Sequence, residues 1–145
     1  MKTLIIIGVV LVVVGVGGLV YLGQKSRTGT APGLQVGQLT ACPSSPNCVS
    51  SEANTPQEQK VDPLPFRVWG QIPSVVEEMG GTVTRNEGNY IAAEFTSSLF
   101  KFTDDVEFRR SDDAVHVRSA SRVGYSDMGA NRERVAALRD QLGNQ

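Results

Sequence analysis

Nineteen consecutive residues without a charge, from Leu4 to Leu22, constrain this chain more than any other feature. As a helix rising 1.5 Å per residue the run reaches roughly 28 Å, close to the thickness of a bilayer's hydrocarbon core. Backbone polar groups in lipid must pair within their own segment, so helix is the expected conformation. Tyr21 sits near the end of the run, where an amphipathic ring meets headgroups. Gly8, Gly15, Gly17 and Gly18 are tolerated there and form no GxxxG dimerisation motif. A cleaved signal peptide is the rival reading, but it has a shorter apolar core followed directly by a small-x-small site. Here Gly23-Gln24-Lys25-Ser26-Arg27 follows, and Gly29-Thr30-Ala31 is succeeded by Pro32. Leu39-Thr40-Ala41-Cys42 imitates a lipobox but stands a polar stretch away from the apolar run, so we treat it as coincidental. The expectation is a single-pass anchor over residues 1–23, with the membrane itself as first partner. Lys2 balances Lys25 and Arg27, so flanking charge does not orient it.

Charge divides the chain unevenly. Three of the 14 basic residues flank the apolar run, which leaves 11 against all 15 acidic ones from Cys42 onward, a net of −4. An acidic domain repels phosphate backbones, which excludes nucleic acid as the expected partner. Residues 24–40, with Gly, Thr, Ser, Gln and Pro32, read as a flexible linker. In Cys42-Pro43-Ser44-Ser45-Pro46-Asn47-Cys48 the prolines and asparagine force turns that bring two cysteines together. A disulfide there would contribute about 2 kcal/mol and imply an oxidising compartment. Free thiols, or metal or redox chemistry, are the other readings; the spacing and the single histidine suit zinc poorly, and no cofactor is expected.

Residues 41–145 have the pattern of an α+β domain. Phe66, Trp69, Ile72, Val75, Val76 and Met79 follow helical spacing, interrupted by Pro73, and imply two short helices ended by Gly80-Gly81. From Thr82 to Val123 the chain alternates, with Val83, Ile91, Ala93, Phe95, Phe100, Phe102, Val106, Phe108, Val115, Val117 and Val123 on one side. That predicts four antiparallel strands with one buried face. Tight turns near Ser97-Ser98 and Ser111-Asp112 would pair Phe95 with Phe100 and Phe108 with Val115. They would also set Glu107 against His116 and Asp105 against Arg118. A last helix from about Asn131 to Leu142 carries Val135, Leu138 and Leu142 on one stripe, with Asn131 as N-cap. The order is α-β-β-β-β-α, a two-layer domain with helices over the sheet's apolar face.

Asp104 falls on the inward parity, where a carboxylate needs partners or a raised pKa. The same register brings Ser119 opposite and Ser121 diagonal to it. A satisfied Asp–Ser network and a pocket acid are both consistent with this. A hydrolase-like site using Asp104 with Ser119, Ser121 or His116 is the enzymatic reading, although no nucleophile elbow accompanies the serines. Arg118, Arg122, Arg132 and Arg134 cluster in sequence around a loop holding Tyr125 and leading to a helix start, a setting suited to an anionic ligand. Asp105, Asp127 and Glu133 could instead neutralise them.

Three blocks carry a family resemblance: Cys42 to Ser51 with Tyr90 downstream, Phe102 to Phe108, and Arg118 to Arg134. Together they resemble the family catalogued as domain of unknown function 1499, over about Leu39 to Leu142. The resemblance implies a domain boundary but no activity; the family has bacterial members and similar domains in plants. The combined expectation is a protein of the bacterial inner membrane with its domain in the periplasm. That domain would bind an anionic small ligand, lipid headgroup or protein partner, or serve a structural role in the envelope.

Overall fold

The computed structural model describes residues 1–143; Asn144 and Gln145, the end of the expected domain, lie outside the described residues. Helix α1 spans Lys2–Ser26, 25 residues, and its apolar stretch is exposed from Leu4 to Tyr21. It is long and apolar enough to cross a membrane, with mean hydropathy 2.9 over its most apolar window. Its last turn docks on the folded domain.

The expected meander is present as β5 (Thr82–Glu87), β6 (Tyr90–Thr96), β7 (Thr103–Arg110) and β8 (Ala114–Ser121), all antiparallel neighbours. Four strands were expected, and the main sheet has six. Along the outer edge of β8 lie β3 (Cys48–Ser50), opposite Arg118–Ala120, and β4 (Leu64–Pro65), opposite Ala114 and Val115. Segments of two or three residues cannot display period-two alternation, so they left no signal in the pattern. They cover an edge that would otherwise present unpaired backbone groups.

Over the apolar face lie α2 (Ile72–Glu78) and α3 (Ala130–Gly143). A 3-10 turn at Phe66–Gln71 leads into α2, with Pro73 in the first turn, where its missing N–H costs nothing. Gly80 ends α2 at φ +82°, a conformation open to glycine. The core joins Ile72, Val75 and Val76 to Ile91, Val106, Phe108, Val115 and Val117, closed by Val135, Leu138 and Leu142. Phe100 and Phe102, expected in a strand facing this core, stand in a loop instead and are only half-buried. That loop, residues 97–102, replaces the expected tight turn.

Register moved by even numbers. Phe95 faces Asp104 instead of Phe100, and Phe108 faces Val117 instead of Val115. A shift of two or four residues keeps every side chain on its face while changing every partner. Within β6, β7 and β8 the facing matches the alternation and the pairing does not: Glu107 meets Arg118, not His116, and Asp104 meets Ser121, not Ser119.

Of residues 24–40, expected to be a flexible linker, 24–26 complete α1 and the chain from Ala31 onward lies against the sheet. β1 (Leu34–Gln35) and β2 (Gln38–Leu39) form a small hairpin, and Leu39 is buried with Tyr90 and Ala92. The Gly33 N–H donates to Glu107 Oε1 (2.9 Å) and the Leu39 N–H to Glu52 Oε1 (3.0 Å). This strap roofs the face read as solvent-exposed.

Candidate functional site

Both faces of the sheet carry charge, and the two sets do different work. Beneath the strap, Glu107 is wholly buried; its Oε1 accepts from the Tyr90 hydroxyl (2.7 Å) and its Oε2 from Arg118 (2.9 Å). Burial, then the Glu107 carboxylate beside it, pushes the Tyr90 hydroxyl well above the usual phenol range. Arg109 grips Glu52 through two bonds of 2.8 and 2.9 Å. Burial works to raise Glu52, but Arg109, the Leu39 amide and the His116 charge outweigh it and hold the carboxyl below its ordinary value. Arg122 clamps Asp105 with Nε and a terminal nitrogen (2.8 and 2.7 Å), reaches Glu94, and donates to the Ser26 carbonyl (3.0 Å). Those bonds raise the Arg122 guanidinium pKa and fasten α1 to the sheet.

The expected arginine cluster is therefore split. Arg118 and Arg122 face the strap and are held by carboxylates. Arg132, on α3, donates to the backbone carbonyls of Lys60 and Glu58 (2.8 and 2.7 Å). Arg134 alone meets the residue singled out on the inward face: its terminal nitrogen donates to Asp104 Oδ2 (2.8 Å). Tyr125 is exposed on the loop before α3. The four arginines do not converge on one anion.

Asp104 lies on the helix-facing side, as its parity required, but α3 supplies its partner rather than the serines. Ser119 donates to Asn131 Oδ1 (2.6 Å), and Asn131 Nδ2 donates to Ser121 Oγ, Asp127 Oδ2 and the Asn47 carbonyl. Arg134 closes the ring with bonds to Ser119 Oγ and Asn131 Oδ1 (3.1 and 2.8 Å). Asn131, expected as an N-cap, lies inside α3; Asp127, in the loop before the helix, accepts from the Gly129 and Asn131 amides (3.0 and 2.9 Å). Burial opposes ionisation of Asp127, yet these amides hold its carboxyl below the ordinary value. Asn131 is wholly buried and is the hub that sequence reading missed. Its signal was present as Asp-x-x-x-Asn, two polar residues one helical turn apart at a helix start. His116 faces the strap side, with Nδ1 3.4 Å from Ser51 Oγ, on the opposite face from Asp104.

The Asp104–Arg134 pair floors a groove of about 630 Å³. One wall is Leu19 and Leu22 of α1; Met79, Phe95, Phe102 and Val123 supply apolar surface, with Met128 at the rim. Arg134 lies over the Phe95 ring at 4.9 Å, so its flat face is already used. The floor carries Asp104, Asp127 and Arg134, a net charge of −1. The groove therefore combines apolar walls with a charged, net-negative floor.

A second hollow, about 720 Å³, lies between the cysteine loop and the start of α3. Cys42 and Cys48 there form a disulfide with Cα atoms 5.6 Å apart. Among the described residues, no group of three His, Cys, Asp or Glu side chains is arranged to hold a metal ion.

A family model described as "Protein of unknown function (DUF1499)" matches residues 38–142. No curated protein and no solved structure matches the chain.

Proposed function

We propose that this chain, which belongs to the DUF1499 family over residues 38–142, is a single-pass membrane protein that binds a bilayer lipid in the groove beside its helix. The observation that carries this reading is the groove's composition: Leu19 and Leu22, from the end of the apolar run, form one wall while Asp104 and Arg134 form the floor. A lipid leaving the bilayer along α1 keeps its acyl chain against apolar surface and brings its polar end to the paired charges. The net negative floor favours a head that donates hydrogen bonds, such as an ammonium or hydroxyl, over a strongly anionic one. Arginine engagement elsewhere argues the same way, since Arg118 and Arg122 are committed to Glu107 and Asp105. The Cys42–Cys48 bond supports an oxidising compartment for the domain, which for a bacterial inner-membrane protein is the periplasm.

The test is native mass spectrometry of the full chain released from nanodiscs containing phosphatidylethanolamine and phosphatidylglycerol. Wild type is expected to retain phosphatidylethanolamine preferentially. Ala130→Trp, at an exposed position on the groove wall, should abolish retention with little change in thermal midpoint. Equal retention by the filled variant, or none by wild type, would refute the reading.

A further inference from the structure

We infer that the loops at residues 97–102 and 123–129 form a membrane-docking surface seated in the headgroup layer, so that the domain lies against the bilayer with one fixed face. This rests on the membrane reading of α1 above but not on what fills the groove.

The first observation is rigidity at the exit of α1. A Cβ on Gly23 would come within 1.7 Å of the Phe100 carbonyl oxygen, so helix and loop backbones are in direct contact there. The Thr103 N–H donates to Ser26 Oγ (3.0 Å), and Arg122 donates to the Ser26 carbonyl (3.0 Å). No free spacer separates helix from domain, and α1 therefore dictates which face of the domain meets lipid.

The second is depth. The groove is shared by Leu19 of α1 with Phe102 and Met128 of the two loops. Leu19 lies seven residues before the docked Ser26, about 10 Å of helix. The loops thus reach back along α1 to the end of its apolar run, beside Tyr21, where the headgroup layer of a spanned bilayer begins.

The third is what the loops expose. Leu99 is 78% exposed, Tyr125 75% and Met128 96%. Met128 also holds a left-handed backbone at φ +54°, which costs of order 1 kcal/mol for a non-glycine residue and splays its side chain off the domain. Water rewards none of this, whereas a bilayer interface solvates methionine, leucine and the tyrosine ring. Arg27 and Lys101 border the same region, sharing a cleft with Glu94, at the height where cations meet lipid phosphates. Two exposed cations, Arg27 and Lys101, thus stand beside the exposed apolar loops of an otherwise acidic domain, as a membrane-facing surface requires.

Tryptophan substitution in a Trp69→Phe background of the full chain, reconstituted in nanodiscs with lipids brominated on the acyl chain, reads this directly. Leu11→Trp, within α1, reports insertion; Val36→Trp, fully exposed on the β1–β2 turn, reports the far side. We expect Leu99→Trp and Met128→Trp to be quenched at least about half as strongly as Leu11→Trp. Val36→Trp should be unquenched. Quenching of Leu11→Trp with none at 99 or 128 overturns the docking surface while leaving the anchor intact. Absence of quenching at position 11 overturns both. Because the substituted loop residues are exposed, folding is not at stake, and the circular dichroism of each variant should match wild type.

Discussion

The last turn of α1 and the 97–102 loop meet backbone to backbone, with Gly23 pressed against the Phe100 carbonyl so that any side chain at position 23 would collide with it. Glycine is required there by proximity, not by its dihedral freedom. Replacement with valine forces the helix off the domain at a cost of about 1–3 kcal/mol. Limited trypsinolysis of the full chain checks this. Cleavage after Lys25 and Arg27 should accelerate about tenfold in Gly23→Val, since each 1.4 kcal/mol of local opening is a factor of ten. An unchanged rate would mean the contact is not held in solution.

Glu107 is the keystone of the roofed face, binding Tyr90, the Gly33 amide and Arg118 at once. Glu107→Ala leaves the Arg118 charge buried without its partner, and destabilisation of about 3–5 kcal/mol is expected. The double variant Glu107→Leu with Arg118→Met should recover much of that loss, because both charges leave together. Denaturant midpoints at constant m-value measure both effects.

Acid should weaken the domain in a defined window. Glu52 and Asp127 have carboxyl pKa values lowered in the fold from ordinary values of 4.5 and 3.8. The unfolded chain then binds more protons than the native one near pH 4, so stability is complete above the unfolded values and falls as pH drops through the folded ones. Thermal midpoints measured from pH 6 downward should be level to near pH 5 and decline below it. Arg109→Met should move the start of that decline to lower stability at neutral pH and flatten it, because the Arg109 bonds to Glu52 are lost.

Much of the fold was written in the alternation from Thr82 to Val123, and the facing of Ile91, Val106, Phe108 and Val117 follows from it directly. Loop length was not so written. The four-residue displacement of Phe95 from Phe100 to Asp104 preserves parity, and alternation alone cannot detect an even shift. The roofed face was hidden for a related reason: Glu107, Arg118 and Asp105 look the same in sequence whether they face water or a strap that supplies hydrogen bonds. The strap itself has linker composition, and its order comes from contacts of Gly33 with Glu107, 74 residues on, and of Leu39 with Glu52, 13 residues on. For the site, Asp104 was identifiable from its inward parity. Its partner Arg134 was named as a ligand-binding residue, yet their pairing needed α3 to lie across the sheet. Asn131 drew attention only as a cap.

Everything proposed about lipid rests on α1 being surrounded by hydrocarbon. Alkaline carbonate washing of membranes from bacteria expressing the full chain, with intact mass measured on each fraction, tests this most directly. The uncleaved chain is expected in the pellet, with release when residues 1–22 are deleted. Recovery of the uncleaved chain in the supernatant would contradict the membrane assignment.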